Sequence, residues 1–411
     1  MAETGSLRRK IWIVVAVGSL ISMLGFGIRA NLGLFLAPMS ADLGWGREVF
    51  ALAIAIQHLM WGIGQPIAGM IADRFGTARV LAVGGLLYAI GIYGMAQAST
   101  PMMFHLTGGL LVGLGLAGSS FALVLAALGR IVPEKHRALA LGLGTAAGSM
   151  GQFLLVPMGQ AFITAYGWPT ALILLAIIVA LIIPLSSVMR GSAVETMNAA
   201  KQSMGQALVE ARQHSGYLYL TVGFFVCGFH IAFIGTHLPA FITDQGLSPE
   251  LGAQALAVLG LFNIFGAIMT GVLGNRFQKK NLLSLIYLSR AIVIALFVML
   301  PITPLSVLMF SGAIGLTWLS TVPLTSGIVA QVFGPRYMAT LFGFIFASHQ
   351  LGSFLGVWLG GKLYDQTGSY EVIWWLGVAL GLFAALIHLP INERPAARLA
   401  AHPATRPTAS Q

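Results

Sequence analysis

The stretch Gly69-Met-Ile-Ala-Asp73-Arg74-Phe-Gly76 returns 202 residues later as Gly271-Val-Leu-Gly-Asn275-Arg276-Phe-Gln278. Asp42-Leu-Gly44 returns as Asp244-Gln-Gly246 at the same offset. Both copies of the longer stretch lie in a short polar loop between apolar runs of about 20 residues, the length a helix needs to cross a bilayer. Twelve such runs are read along the chain, at 11–38, 49–72, 78–98, 101–129, 138–165, 168–189, 217–243, 251–274, 281–300, 304–331, 338–363 and 370–391, hereafter spans 1 to 12. The repeat splits them into two halves of six, residues 1–189 and 217–393, joined by a hydrophilic loop at 190–216 and followed by a Pro- and Ala-rich tail at 394–411 that reads as disordered. Parallel six-helix repeats with a site between them at mid-membrane are a transporter plan.

Composition agrees. The 411 residues are 57% hydrophobic and only 8% charged, where a soluble domain carries about 25% charged residues. Runs of this length argue for an all-α integral membrane protein rather than a β-barrel, whose strands alternate over about ten residues. The single Cys227 rules out an intramolecular disulfide and a cysteine metal cluster. The first run is too long for a signal-peptide core and lacks a clear cleavage site, so it reads as an uncleaved helix. The net charge of +10 does not point to nucleic acid, because eighteen of the twenty-two Lys and Arg fall in loops on one side of the membrane. Arg47 and Lys362 fall on the other side, and Arg29 and Arg290 fall inside spans 1 and 9. The positive-inside rule then places both termini in the cytoplasm.

The run Gly69 to Arg79 resembles the signature of the major facilitator superfamily, Gly-x-x-x-Asp-Arg-x-Gly-x-x-Arg/Lys. With the second copy and the central loop, the resemblance covers nearly the whole chain. It implies twelve transmembrane helices in two pseudo-symmetric six-helix halves. It also implies a cytoplasmic gate in which Asp73, Arg74, Arg79 and Arg276 lock neighbouring helices. Asn275 replaces the acid in the second copy, which weakens that lock. Within the superfamily, Arg29-Ala-Asn31-Leu-Gly-Leu-Phe-Leu-Ala-Pro38 and Gly228-Phe-His230-Ile-Ala-Phe-Ile-Gly-Thr-His237-Leu-Pro239 resemble the bacterial monocarboxylate-transporter and oxalate:formate-antiporter branch. That branch moves small carboxylates, often with a proton. Its carriers tend to place an Arg in span 8 or a Lys in span 11. Here span 8 offers Asn263 and span 11 offers His349, so the counter-charge for a carboxylate falls to Arg29 or Arg290.

An ionisable residue inside a span marks a functional site by default. All twelve Asp and Glu read as loop or helix-end residues, so the partner missing from the two buried cations is expected from outside, as a transported anion. Arg29 sits among Gly25, Gly27 and Gly33 in a span that lines the central cavity in this superfamily, and its fork suits a carboxylate. The alternative is bonding to backbone carbonyls. Arg290 sits in a span that is usually peripheral, which favours a structural pair. His230 and His237, two turns apart, and His349 are candidates for proton coupling because imidazole changes charge near neutral pH; helix-to-helix hydrogen bonding is the rival role. His58 in span 2 is a weaker candidate. Asn31, Asn263 and Gln350 join Arg29 and the histidines as candidate substrate-binding residues, and Gln57, Gln152, Trp61, Trp318 and Tyr287 could shape a pocket. Trp374 and Trp375 read as an interfacial belt. The glycines of spans 5 and 11 read as close-packing faces. Neither a metal site nor a nucleotide fold is expected, and no cofactor.

The expected protein is therefore a secondary carrier of the bacterial cytoplasmic membrane, a monomer touching lipid, moving a small organic anion, with protons, by rocker-switch alternating access. A proton-coupled exporter of a drug-like or other neutral or zwitterionic solute and a non-transporting membrane sensor on the same fold are the rivals. An enzyme is not expected.

Overall fold

The computed structural model describes residues 2–189, 204–334 and 337–396. Most of the central loop, the tail beyond residue 396 and the basic residues Arg190, Lys201, Arg336, Arg398 and Arg406 lie outside the described residues. Within them the chain is helical, with no strand. Eleven segments are long and apolar enough to cross a membrane. One of them, Leu139–Met189, is 51 residues long, and its helix turns over at Gly167, whose φ of 77° only glycine adopts readily. It is spans 5 and 6, joined end to end, which brings the number to twelve.

Local chemistry explains where the helices start. Thr100, Ser248 and Thr303 each accept a backbone N–H from the first turn, with Pro101, Pro249 and Pro304 at its opening position. The side-chain oxygen satisfies an orphan donor, and proline loses nothing where its missing N–H had no partner. Several spans are interrupted. Span 1 runs from Ala2 to Asn31, tightens into a 3-10 turn at Leu32–Phe35 and resumes to Leu43. Span 4 carries a π turn at His105–Leu111. Span 10 is two helices, Pro304–Thr317 and Thr321–Phe333. A separate helix, Met204–Gln213, precedes span 7, within the stretch that reads from the sequence only as a loop.

The repeat is a packing repeat as well as a sequence one. A methyl group on Gly113 would lie 2.6 Å from Met60 Cβ and 2.7 Å from Gln57 O. At positions 202 residues on, a methyl on Gly315 would lie 2.7 Å from Leu259 O and 2.8 Å from Phe262 Cβ. Span 4 thus rides on span 2 as span 10 rides on span 8. Gly33 and Gly235 are also equivalent, and they meet: the space a side chain on Gly33 would need is filled by the Gly235 and Thr236 carbonyls. Spans 1 and 7 cross there, close to the axis relating the halves. Spans 5 and 11 use their glycines to press on spans 1 and 7. Gly151 seats against Met23 O, and Gly352 and Gly356 against Phe225 O and Phe229 O. Without a hydrophobic drive between helices in lipid, this close contact is what holds them.

Each half has its own apolar core. Trp374 belongs to the second. It is 1% exposed and packs edge-on against Phe233, Phe241, Phe297 and Phe310. This corrects the interfacial reading of that residue; Trp375, 41% exposed, faces outward.

Candidate functional site

Both halves contribute to one narrow cavity of about 30 Å³. Arg29, Ala30, Leu32 and Gly33 come from span 1; Ile54, Gln57 and His58 from span 2; Gln152 from span 5. Ile231, Ala232, Gly235 and Thr236 come from span 7, Leu256 from span 8 and Trp318 from the break in span 10. The walls mix apolar residues with the polar groups of Arg29, Gln57, His58, Gln152, Thr236 and Trp318, and no carboxylate lines them among the described residues.

Arg29 is the cation of this cavity. Its guanidinium lies 5.0 Å from the Phe26 ring centroid and 5.4 Å from that of Trp61. Its Nε has no hydrogen-bond partner, and no ion pair to it forms among the described residues. Stacking on rings offsets part of the cost of burying the charge, by roughly 0.5–2 kcal/mol per contact, and leaves the N–H fork for something else. Three other buried donors at or beside the cavity lack a protein partner: Trp61 Nε1, Trp318 Nε1 and Gln350 Nε2. Gln57 Oε1 is one unpartnered acceptor there. A cavity richer in free donors than acceptors suits an acceptor-rich, anionic guest.

Arg290 is placed differently. It is 1% exposed, and its Nη2 donates to the carbonyls of Thr317 and Trp318, the latter at 2.7 Å. Those carbonyls end the first helix of span 10, where the orphan acceptors and the negative end of the helix dipole favour a cation. Asn263 holds the same break from span 8, accepting Leu319 N–H at 3.0 Å on Oδ1. Its Nδ2 donates to Ser149 Oγ of span 5 at 2.8 Å, across the two halves. Gln152 does likewise, donating to Leu256 O at 2.9 Å.

The remaining candidates separate into two groups. His58, His349 and Gln350 come together at the cavity edge, with both imidazole Nδ1 atoms 3.3 Å from Gln350 Oε1. Asn31, His230 and His237 do not line the cavity. Asn31 Nδ2 donates to Gly27 O at 2.8 Å, and its side chain fits over Gly159. His230 Nε2 donates to Gly377 O of span 12 at 2.8 Å. His237 Nε2 donates to Val357 O at 2.9 Å, so its Nδ1 accepts from Tyr370 Oη at 3.0 Å.

Tyr370 leads to a cluster at the face opposite the basic loops. Arg47, at the start of span 2, forms two 2.6 Å bonds to Asp244 at the end of span 7, and a third, 2.9 Å long, to Tyr370 Oη. Its guanidinium lies 3.7 Å over Tyr364. Asp365 of span 11 accepts the Arg47 and Glu48 backbone N–H groups at 2.9 and 2.8 Å, capping span 2 from the other half. The cluster ties the halves together on that face. The sequence does carry a signal for it: Asp244 is in the short repeat, and Arg47 is one of two cations on its side. On the basic face Asp73 pairs with Arg130 of its own half at 2.7 Å, and Arg130 also donates to Thr77 Oγ1 at 2.6 Å. Arg74 lies over Phe75, while Arg79 and Arg276 are exposed.

The sequence profile of the Major Facilitator Superfamily matches residues 15–357. The chain belongs to that superfamily. It is a multi-pass membrane transporter of a small molecule, not an enzyme. It is 26% identical over 376 residues to monocarboxylate transporter 13 of Bos taurus, which covers 87% of this chain and 84% of that one. It is 27% identical over 402 residues to human monocarboxylate transporter 11, covering 92% and 82%. An uncharacterised transporter of Bacillus subtilis, YcxA, is 24% identical over 412 residues, covering 96% and 98%. In fold the chain is similar to the nucleoside transporter NupG, with a TM-score of 0.77 at 14% identity over 92% of this chain and 99% of that one.

Two expectations follow from the gates. The Arg47–Asp244 pair is partly exposed, at 13% and 25%, where ion pairs are worth roughly 0–1 kcal/mol; a latch of that strength can open. Asp244→Asn should let the face open more often. Alkylation of a Thr236→Cys probe from that side should then speed up several-fold, and an unchanged rate rules the latch out. Asp73→Asn frees Arg130 and moves the conformational balance while touching no substrate atom. Turnover should slow, with substrate affinity within a few-fold of the parent. Unchanged turnover makes Asp73 merely structural.

Proposed function

We propose that the chain is a secondary active carrier of a small organic anion, a mono- or dicarboxylate, moved by rocker-switch alternating access together with a proton. The observation that carries this reading is the unpaired Arg29 fork in a cavity shared by both halves that no carboxylate lines among the described residues. A carboxylate entering it gains charge-assisted bonds to Arg29 and the neighbouring indole and amide donors. A neutral solute leaves the guanidinium desolvated without a counter-charge, which is expensive. The names of the monocarboxylate transporters agree with this reading, and so does the latched face, which fits one end state of alternating access. The basic loops favour both termini in the cytoplasm, with the chain acting as a monomer in a bacterial inner membrane.

The test is counterflow in proteoliposomes, with labelled acetate, L-lactate and oxalate outside and the unlabelled acid inside. Transient accumulation of at least one label is expected. Accumulation of none, alongside uptake of a neutral or cationic solute, overturns the proposal.

A further inference from the structure

Resting on that reading, we propose that His58 is the proton-binding site coupled to the anion, and that Gln350 and His349 of the other half hold it in place. His58 is 3% exposed and lies in the wall of the Arg29 cavity. Trp61 links the two residues, since its ring takes the Arg29 guanidinium at 5.4 Å and stacks on His58 at 6.3 Å. Gln350 Oε1, which can only accept, receives Nδ1–H from His58 and from His349, each at 3.3 Å. Both rings therefore carry their proton on Nδ1. His349 is fixed further by stacking on Phe346 at 5.7 Å. His58 Nε2 is left with no hydrogen-bond partner among the described residues and is the atom that takes the added proton.

The charges nearby decide what that proton does. The charged and titratable groups set against His58 are Arg29 of span 1, in the same cavity wall, and His349 of span 11, on the shared Gln350 Oε1; Tyr88 of span 3, whose hydroxyl donates to Gly25 O at 3.3 Å, and Cys227 of span 7 lie behind Arg29 and His349. Span 4 packs on the Gln57 backbone through Gly113 and brings no charge there. With the cavity empty, a protonated His58 would add a second cation to Arg29's, and nothing opposes their repulsion. An anion between them reverses that balance and makes one proton welcome. Anion and proton then each tighten the binding of the other, as symport requires. Linkage is reciprocal, so the anion binds more tightly as pH falls, by at most tenfold per unit for one proton. The site joins span 2 to span 11, elements of opposite halves that must part when the latched face opens, so the proton is held where the two halves meet.

In wild-type proteoliposomes, an interior more alkaline by one pH unit should accumulate labelled L-lactate about tenfold, since one proton per anion converts one pH unit into a factor of ten. His58→Gln keeps an amide donor for Gln350 and cannot take the proton. It should lose this accumulation, and its half-saturation for L-lactate counterflow should no longer fall as pH falls, as that of the parent does. Wild-type protein in weakly buffered detergent should also take up a proton from a pyranine-monitored solution when L-lactate binds, whether or not the variant folds. Gradient-driven accumulation by His58→Gln equal to wild type, or no proton uptake on binding to wild type, overturns the assignment. Absence of wild-type counterflow overturns the anion reading instead.

Discussion

Arg29→Gln should weaken anion binding by about 10- to 150-fold, the equivalent of roughly 1.5–3 kcal/mol for hydrogen bonds to a charged group. The expectation follows from what Arg29 lacks. No carboxylate and no backbone carbonyl takes its N–H groups among the described residues, and its only neighbours of note are the Phe26 and Trp61 rings. Removing the charge leaves no buried partner orphaned, so the protein should fold and keep its thermal midpoint. Arg29→Lys keeps the charge and loses the planar fork. It should fall between the parent and Arg29→Gln in affinity. A ligand titration on the three purified proteins orders them, and equal affinity in all three removes Arg29 from the site.

Arg290→Met should do the opposite. Its guanidinium is the donor to two carbonyls, one buried and one part-buried, at the end of the first helix of span 10. An acceptor left unsatisfied in the interior costs about 1–3 kcal/mol, so two of them cost roughly 2–6 kcal/mol, a large share of the 5–15 kcal/mol that separates a folded protein from an unfolded one. The yield of folded protein and the thermal midpoint should both fall. Arg290→Lys should recover part of the loss, since an ammonium can reach one carbonyl but not span both. The readout is thermal unfolding with and without anion. A midpoint for Arg290→Met equal to the parent would mean that the break in span 10 needs no clamp.

The two arginines show how far the sequence can be read. Both stand in apolar runs with no acid, and hydropathy ranks them alike. What separates them is whether a helix break lies within reach, and span 10 reads as one continuous run from 304 to 331. The carbonyls that occupy Arg290 become available only because Trp318 to Ser320 leave the helix there. The fold was far more legible. Twelve runs, one central loop and a repeat at offset 202 specify two halves, and the Gly113 and Gly315 contacts recur at that offset in space. Spans 5 and 6 look like one helix only because Gly167 turns the chain without a long loop.

The histidines were the hardest to place. His230 and His237 are seven residues apart on span 7, yet they bond to different elements, Gly377 of span 12 and Val357 of span 11. Helical spacing shows that two side chains share a face but not what that face meets. His58, the weaker candidate by sequence, is brought to the cavity by the contact of span 2 with span 11, a long-range pairing that no local pattern encodes. Arg47 was legible only as a cation on the sparsely charged side. Its partners Asp244, Asp365 and Tyr370 come from helix ends about 200 and 320 residues away.

The central claim is that Arg29 takes the substrate anion directly. The most direct test is the thermal shift that a transported carboxylate induces in purified Arg29→Gln beside the parent. The parent should be stabilised in a saturable way. Arg29→Gln should start from a similar midpoint and need at least tenfold more anion for half the shift. Stabilisation of Arg29→Gln at the same concentrations as the parent would contradict direct contact.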